Sequence, residues 1–136
     1  MISPTLDSLR VFLHLLAVAV WVGGQIVLAG IVPKVRQVAP QSMTVIANQF
    51  ARLAWPSMVV IIFTGAWGLS SVNVTDRDTD YLVTFAVKML MVGFAIIATL
   101  IHSMGTSKAA KGIGGAVGLL TSLLAAYAGV LMAHVG

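Results

Sequence analysis

Residues 10–31 read RVFLHLLAVAVWVGGQIVLAGI, and this stretch decides the fold. After Arg10 it contains no charged side chain. About 20 apolar residues in an α-helix cross a hydrocarbon core of about 30 Å, so the stretch predicts a membrane-spanning helix. His14 lies in its first half and Gln25 in its second. Because lipid offers polar side chains no hydrogen-bond partner, we expect other helices of the chain to supply one.

The composition excludes an ordinary soluble domain. Of the 136 residues 59% are hydrophobic and 9% charged, whereas a soluble domain has about 25% charged residues. The length suits a single domain, residues 1–136. The net charge of +4 comes from the connections between apolar runs and not from a basic stripe, so no nucleic-acid partner is indicated. Cysteine is absent, which excludes thiolate metal sites.

The hydrophobic pattern predicts an all-α fold, an integral-membrane four-helix up-down bundle. The helices are expected at about residues 9–31, 42–69, 81–103 and 113–135. Pro33 and Pro40 bound a predicted break over residues 32–41. We expect the first apolar run to be retained, since it exceeds the ~7–15 residues of a signal-peptide core. In the last helix small residues recur every four positions and would let two backbones pack closely: Gly114, Gly118, Ser122 and Ala126.

The loop charges predict the orientation. Lys34, Arg36 and Arg52 surround the first connection, and Lys108 and Lys111 lie in the third, in both cases without an acidic residue. Three aspartates lie in the second connection, at residues 76, 78 and 80. By the positive-inside rule the basic loops face the cytoplasm, so both termini are expected outside.

Polar residues in the outer half of the predicted bundle form the candidate site. From the predicted helix ends, His14 and Lys88 lie roughly 8 and 10 Å deep, and Tyr127 and His134 share one face of the last helix. His14 could bond a hydroxyl or ligate a metal, and Lys88 could snorkel or pair with a cofactor.

The remaining candidates also have two interpretations each. Trp21 could pack or stack on a planar cofactor. His134 could be an interfacial residue or a second ligand, whereas His102 lies at the inner end of the third helix and is expected to be interfacial. The thioethers of the seven methionines suit Cu(I), although methionine in apolar helices usually packs.

Three segments carry a resemblance to a family. HLLAVAVWVGGQI (14–26), IIFTGAWGL (61–69) and FAVKMLMV (85–92) resemble the CopD-domain superfamily of bacterial four-helix membrane proteins. That superfamily includes copper-resistance CopD domains and is related to HemJ-type protoporphyrinogen oxidases. The resemblance implies a histidine at His14 and a lysine at Lys88 that serve a b-type haem, with the histidine as axial ligand, or copper handling across the inner membrane.

The chain also departs from both relatives. After residues 21–24 it has no Arg-Leu-Phe-like segment ending in histidine, which HemJ-type proteins have. It lacks the larger multi-helix body of full-length copper-resistance proteins. It is therefore similar to the bare four-helix module.

Three functions remain open from the sequence. The first is a metal centre of haem b or copper, with His14 and His134 as metal ligands and Lys88, Trp21 and Tyr127 around the cofactor. The second is a HemJ-like protoporphyrinogen oxidase, and the third is a non-catalytic accessory subunit of a larger membrane complex such as a respiratory one. No catalytic residue is predicted. We expect a multi-pass protein of the bacterial inner membrane, with the lipid bilayer and either further copies or complex subunits as partners.

Overall fold

The computed structural model describes residues 1–135, and this part of the chain is helical without any strand. It contains four helices long and apolar enough to cross a membrane. They span Leu6–Val38, Pro40–Ser70, Thr79–Met104 and Lys108–His134. The predicted all-α fold with four membrane-length helices is therefore confirmed.

The first spanning helix has three parts. α1 covers Leu6–Val18, a π-helical segment covers Ala19–Gly23, and α2 covers Gly24–Val38. Thr5 is the N-cap: its hydroxyl accepts from the Ser8 backbone N–H, and the Ser8 hydroxyl accepts from the Thr5 N–H. This reciprocal pair satisfies two unpaired N–H groups at once, so the helix begins earlier than the predicted residue 9.

The break predicted over residues 32–41 is wrong for most of its length. The helix continues through Pro33 to Val38 and is interrupted at Ala39, with φ −151° and ψ 62°. Proline has no backbone N–H, so the carbonyl four residues before Pro33 loses its helical hydrogen-bond partner. Pro33 is exposed and lies next to Lys34, a residue type that favours the boundary between membrane and water. Water can therefore bind this carbonyl in place of the missing N–H. Pro40 opens the 3₁₀ turn Pro40–Ser42.

The remaining helices are longer than predicted. α3 covers Met43–Ser70 and continues through Pro56, α4 covers Thr79–Met104, and α5 covers Lys108–Val135. The second connection holds a 3₁₀ turn at Val74–Asp76. Side-chain caps fix the starts of α4 and α5: Asp78 accepts from the Tyr81 N–H, and Ser107 accepts from the Ala110 N–H.

The chain forms two compact units, the first being Met1–Asn73 and the second beginning at Val74. In the first unit, α1 and α3 run antiparallel, because Arg10 contacts Gly68 while His14 contacts Thr64. Its buried side chains are Ala17, Trp21, Ala54, Met58, Ile61 and Thr64.

In the second unit, α4 and α5 form a close antiparallel pair. A Cβ on Gly114 would lie 2.9 Å from the Ala98 carbonyl oxygen, and one on Gly118 would lie 3.1 Å from the Thr99 hydroxyl. The predicted small-residue face of the last helix is thus a helix–helix contact, as expected where backbones approach closely. The buried non-glycine residues of this unit are Ala95, Ala98, Thr121, Ser122, Ala125 and Ala128.

Candidate functional site

The intramembrane histidine has a hydroxyl partner. His14 Nδ1 lies 2.7 Å from the Thr64 hydroxyl oxygen, across the contact between α1 and α3. Thr64 is 1% exposed, which makes it one of the most deeply buried polar residues described. Helical spacing alone predicted a polar partner on another helix but did not identify Thr64, because facing positions on two helices are set by their register.

The Thr64 hydroxyl fixes the tautomer of His14. A threonine hydroxyl has one proton to donate, and Thr64 Oγ1 lies 2.6 Å from the Val60 carbonyl oxygen, which can only accept. The hydroxyl therefore donates to Val60 and accepts from His14, so His14 Nδ1 carries the proton. In a neutral ring the lone pair is then on Nε2, the arrangement in which a histidine can ligate a metal through Nε2.

A second polar side chain lies one helical turn from His14, toward the N-terminus. The Arg10 guanidinium bonds Asp7 Oδ1 through Nε at 3.2 Å and through Nη2 at 2.7 Å. It also lies on Gly68, where an added Cβ would come within 2.6 Å of Nη1. Gly65 lies next to His14, but a Cβ there would make only an ordinary contact, 3.8 Å from Cε1. The lack of a side chain at Gly68 thus makes room for Arg10.

The Trp21 side chain packs against other side chains and has almost no exposed surface. It is 2% exposed and lies in the π-helical segment, with its ring 5.6 Å from that of Trp55 in an edge-to-face arrangement at 69°. The Gln25 side-chain amide donates to the Trp21 carbonyl at 3.0 Å, which gives this second intramembrane polar group an internal partner. The packing interpretation of Trp21 therefore has direct support.

The π-helical segment was missed from the sequence. Such segments are rare and are frequent at functional sites. Here it separates the turn that carries His14 from the turn that carries Gln25. Gly23, the last residue of the segment, and Gly24, which follows it, are only a weak sequence signal of a π-helix, because glycines are also common in regular transmembrane helices.

Lys88 lies across the backbone of α5. Its Nζ is 3.2 Å from the position that a Cβ on Gly129 would occupy. The antiparallel register that pairs His102 with Gly114 and Ala98 with Gly118 brings Gly129 about level with residue 88. The half-buried side chain thus runs sideways onto α5 instead of extending by a turn toward the helix end. No hydrogen bond or ion pair of Lys88 occurs within the described residues.

The other predicted site residues lie on exposed surface. Tyr127 is 61% exposed, and its position two residues before Gly129 turns it away from the Lys88 contact. His134 is exposed in the last turn of α5. His102, predicted to be interfacial, is exposed, and its Nδ1 donates to the Lys111 carbonyl at 2.5 Å, which ties the end of α4 to the start of α5.

Both intramembrane groups lie deeper in their helices than predicted, since the helices begin earlier. His14 is about 12 Å from Leu6, and Lys88 about 14 Å from Thr79, along the helix axes. Across residues 1–135 no group of three or more His, Cys, Asp or Glu side chains could hold a metal ion.

Comparison of the chain with models of known families, with curated proteins and with solved structures gives no match.

Proposed function

We propose that the protein is a CopD-like protein of the bacterial inner membrane that holds haem b through His14 for haem-linked redox chemistry. The observation that carries the proposal is the hydrogen-bond chain from His14 Nδ1 to the Thr64 hydroxyl and on to the Val60 carbonyl. It places the lone pair on Nε2 and holds the ring in one orientation, as the outer-shell partners of metal-ligating histidines do.

Haem suits this donor set better than copper. A porphyrin supplies four nitrogen ligands, so the protein has to add only one or two. A bare copper ion would take most of its ligands from side chains, with imidazole and thioether as suitable types. Copper handling is the alternative within this proposal.

When bound, the haem would supply one-electron chemistry. The protein would contribute the His14 imidazole as a ligand, oriented through Thr64, and apolar helices that keep water away. Both termini and the aspartate-rich connection would face outward, and the basic connections inward, as the loop charges indicate.

The visible spectrum of the purified protein tests the proposal. We expect a Soret band in detergent after expression with haem supply, or after addition of haem to the apoprotein. His14→Ala should abolish this band, and His102→Ala should leave it unchanged because His102 is engaged at the other end of α4. A colourless protein that does not take up haem would overturn the haem proposal, and copper bound in place of haem, lost in His14→Ala, would favour the copper alternative.

A second candidate is a non-catalytic accessory subunit of a larger membrane complex. The observation in its favour is that the Thr64 hydroxyl satisfies His14 Nδ1 within one helix pair, which is also how a purely structural intramembrane histidine is stabilised. In that case the His14→Gln variant, which keeps a hydrogen-bonding side chain, should co-purify with the same subunits as the unaltered protein. Neither the variant nor the unaltered protein should carry haem.

A further inference from the structure

Lys88 is an intramembrane cation for which the described chain holds no counter-ion. Its amine lies over Gly129 of α5 and has no hydrogen bond or ion pair within residues 1–135. α4 has 26 residues and begins at Thr79, so Lys88 lies about 5 Å along the axis from the middle of this helix. A positive charge at that depth is costly in lipid unless an anion accompanies it.

The carboxylates of the chain itself do not reach this amine. The sequence has four acidic residues. Asp7 lies in the first turn of α1, and the other three lie in the second connection or at the start of α4. Even Asp80, the one closest in sequence, is about 12 Å from Lys88 along the helix axis. A second copy packed side by side in the same membrane also carries its acids at the helix ends, so it does not supply the anion.

A lipid phosphate is also too far from the amine. Phosphates lie outside the hydrocarbon core, whose half-thickness is about 15 Å. With α4 centred in this core, Lys88 lies about 10 Å below the boundary, further than a lysine side chain reaches. The side chain moreover runs sideways onto α5 and not toward the helix end. The anion must therefore lie inside the core, where the group that a protein can offer is the carboxylate of a spanning helix.

The surface beside the amine suits a helix. Met89 follows Lys88 and Val130 follows Gly129, and in an antiparallel pair the residues that follow two facing positions lie on the same side of the contact. Both side chains are apolar and exposed, Met89 by 43% and Val130 by 61%. Ala133, one turn beyond Gly129 on the same face, is exposed as well. Its small side chain lets a partner backbone come close.

We propose that Lys88 binds an aspartate or glutamate on a transmembrane helix of a different protein. That helix packs against the side of the α4–α5 pair formed by Met89, Val130 and Ala133. The inference does not require haem at His14; it rests on the accessory-subunit candidate and gives the partner of that candidate a chemistry. A charge-assisted bond between the Lys88 ammonium and the carboxylate removes the cost that each group has alone in lipid.

Binding of a model transmembrane helix tests the proposal. The probe is a poly-leucine peptide with tryptophan ends and one glutamate at its centre, which lies within about 5 Å of the level of Lys88 in either orientation. The full chain carries a fluorophore on a Thr106→Cys variant, whose thiol is the only one. The peptide carries the acceptor, and both are placed in phosphatidylcholine vesicles. We expect the glutamate peptide to bind roughly 5–30-fold more tightly than its glutamine counterpart, the value of an interhelical polar bond in lipid.

Two lysine variants assign this preference to one residue. Lys88→Met removes the charge and keeps an apolar side chain, so the preference for glutamate should disappear while binding of the glutamine peptide stays unchanged. Lys111→Met is the matched control, because Lys111 lies in the first turn of α5, and it should keep the full preference. An equal loss of binding for both peptides in Lys88→Met would indicate a structural role of Lys88 and overturn the proposal.

Equal binding of the glutamate and glutamine peptides by the unaltered protein would also overturn it, as would a preference that persists in Lys88→Met. In vesicles that contain phosphatidylglycerol the preference should persist, and its loss there would assign the amine to a lipid phosphate instead. The accessory-subunit candidate fails separately, when no subunits co-purify with the protein. Stable subunits without a preference for the glutamate peptide would overturn only the inference on Lys88.

Discussion

At the residue scale, the His14–Thr64 pair is the feature on which the proposed function rests. The buried Thr64 hydroxyl accepts a hydrogen bond from the His14 ring and donates one to the Val60 carbonyl, so both side chains have a hydrogen-bond partner of the right kind. Lipid can supply no such partner, and the pair therefore both stabilises the contact between α1 and α3 and sets the imidazole tautomer. A single threonine thus connects helix packing with the orientation of the histidine that we propose as a haem ligand.

Replacing Thr64 tests this connection. Thr64→Val keeps the shape but removes the hydroxyl, so we expect haem affinity to fall roughly 10–100-fold, as for other outer-shell partners of metal ligands. The midpoint potential should shift as well, because the Nδ1–H bond tunes the imidazole. Thr64→Ser is the control, since it keeps the hydroxyl and should retain most of the affinity. Equal spectra and potentials in Val and Ser variants would show that Thr64 does not act on the haem.

At the element scale, a π-helical segment in the first spanning helix and the glycines of α5 determine how the helices pack. The π-helical segment Ala19–Gly23 carries Trp21 and its contact with Trp55. The glycines of α5 let that helix approach α4 closely. Pro33 and Pro56 do not end their helices. Transmembrane helices tolerate proline because water and neighbouring groups satisfy the freed carbonyls.

The close approach of α4 and α5 predicts opposite effects of two glycine substitutions. At Gly114 an added Cβ would lie 2.9 Å from the Ala98 carbonyl oxygen. This oxygen belongs to the backbone of α4, which cannot move aside as a flexible side chain could. We expect Gly114→Ala to lower the free energy of unfolding by about 1–3 kcal/mol, the usual cost of overpacking. Gly112→Ala is the control, because it meets nothing within 4 Å and gains helix propensity of up to about 1 kcal/mol. Thermal melting in detergent measures both, and equal melting temperatures would contradict the prediction.

At the scale of the whole molecule, the four spanning-length helices and the uneven loop charges predict a definite orientation in the membrane. The absence of cysteine from the chain makes the test clean, since each introduced thiol is the only one. We expect Ser3→Cys to react with a membrane-impermeant maleimide in intact cells. Lys34→Cys and Lys108→Cys should react only after permeabilisation. The reverse pattern would place both termini in the cytoplasm.

The sequence by itself determined the class of the protein and the number of helices, because hydrophobic length is a local property that 20-residue windows report directly. It also located the intramembrane polar residues and the small-residue face of α5. It predicted helix ends less well, since the Thr5–Ser8 cap and the continuation through Pro33 depend on local hydrogen bonding that hydrophobic length does not report.

Only the tertiary structure decided the partners of those residues. Thr64 opposite His14, Gly68 under Arg10, Trp55 against Trp21 and Gly129 under Lys88 are each set by how two helices are aligned. Helical periodicity gives the face on which a side chain lies but not the residue it meets on another helix. That alignment results from packing of the whole interface, so a hydroxyl that orients an imidazole becomes visible only in the folded chain.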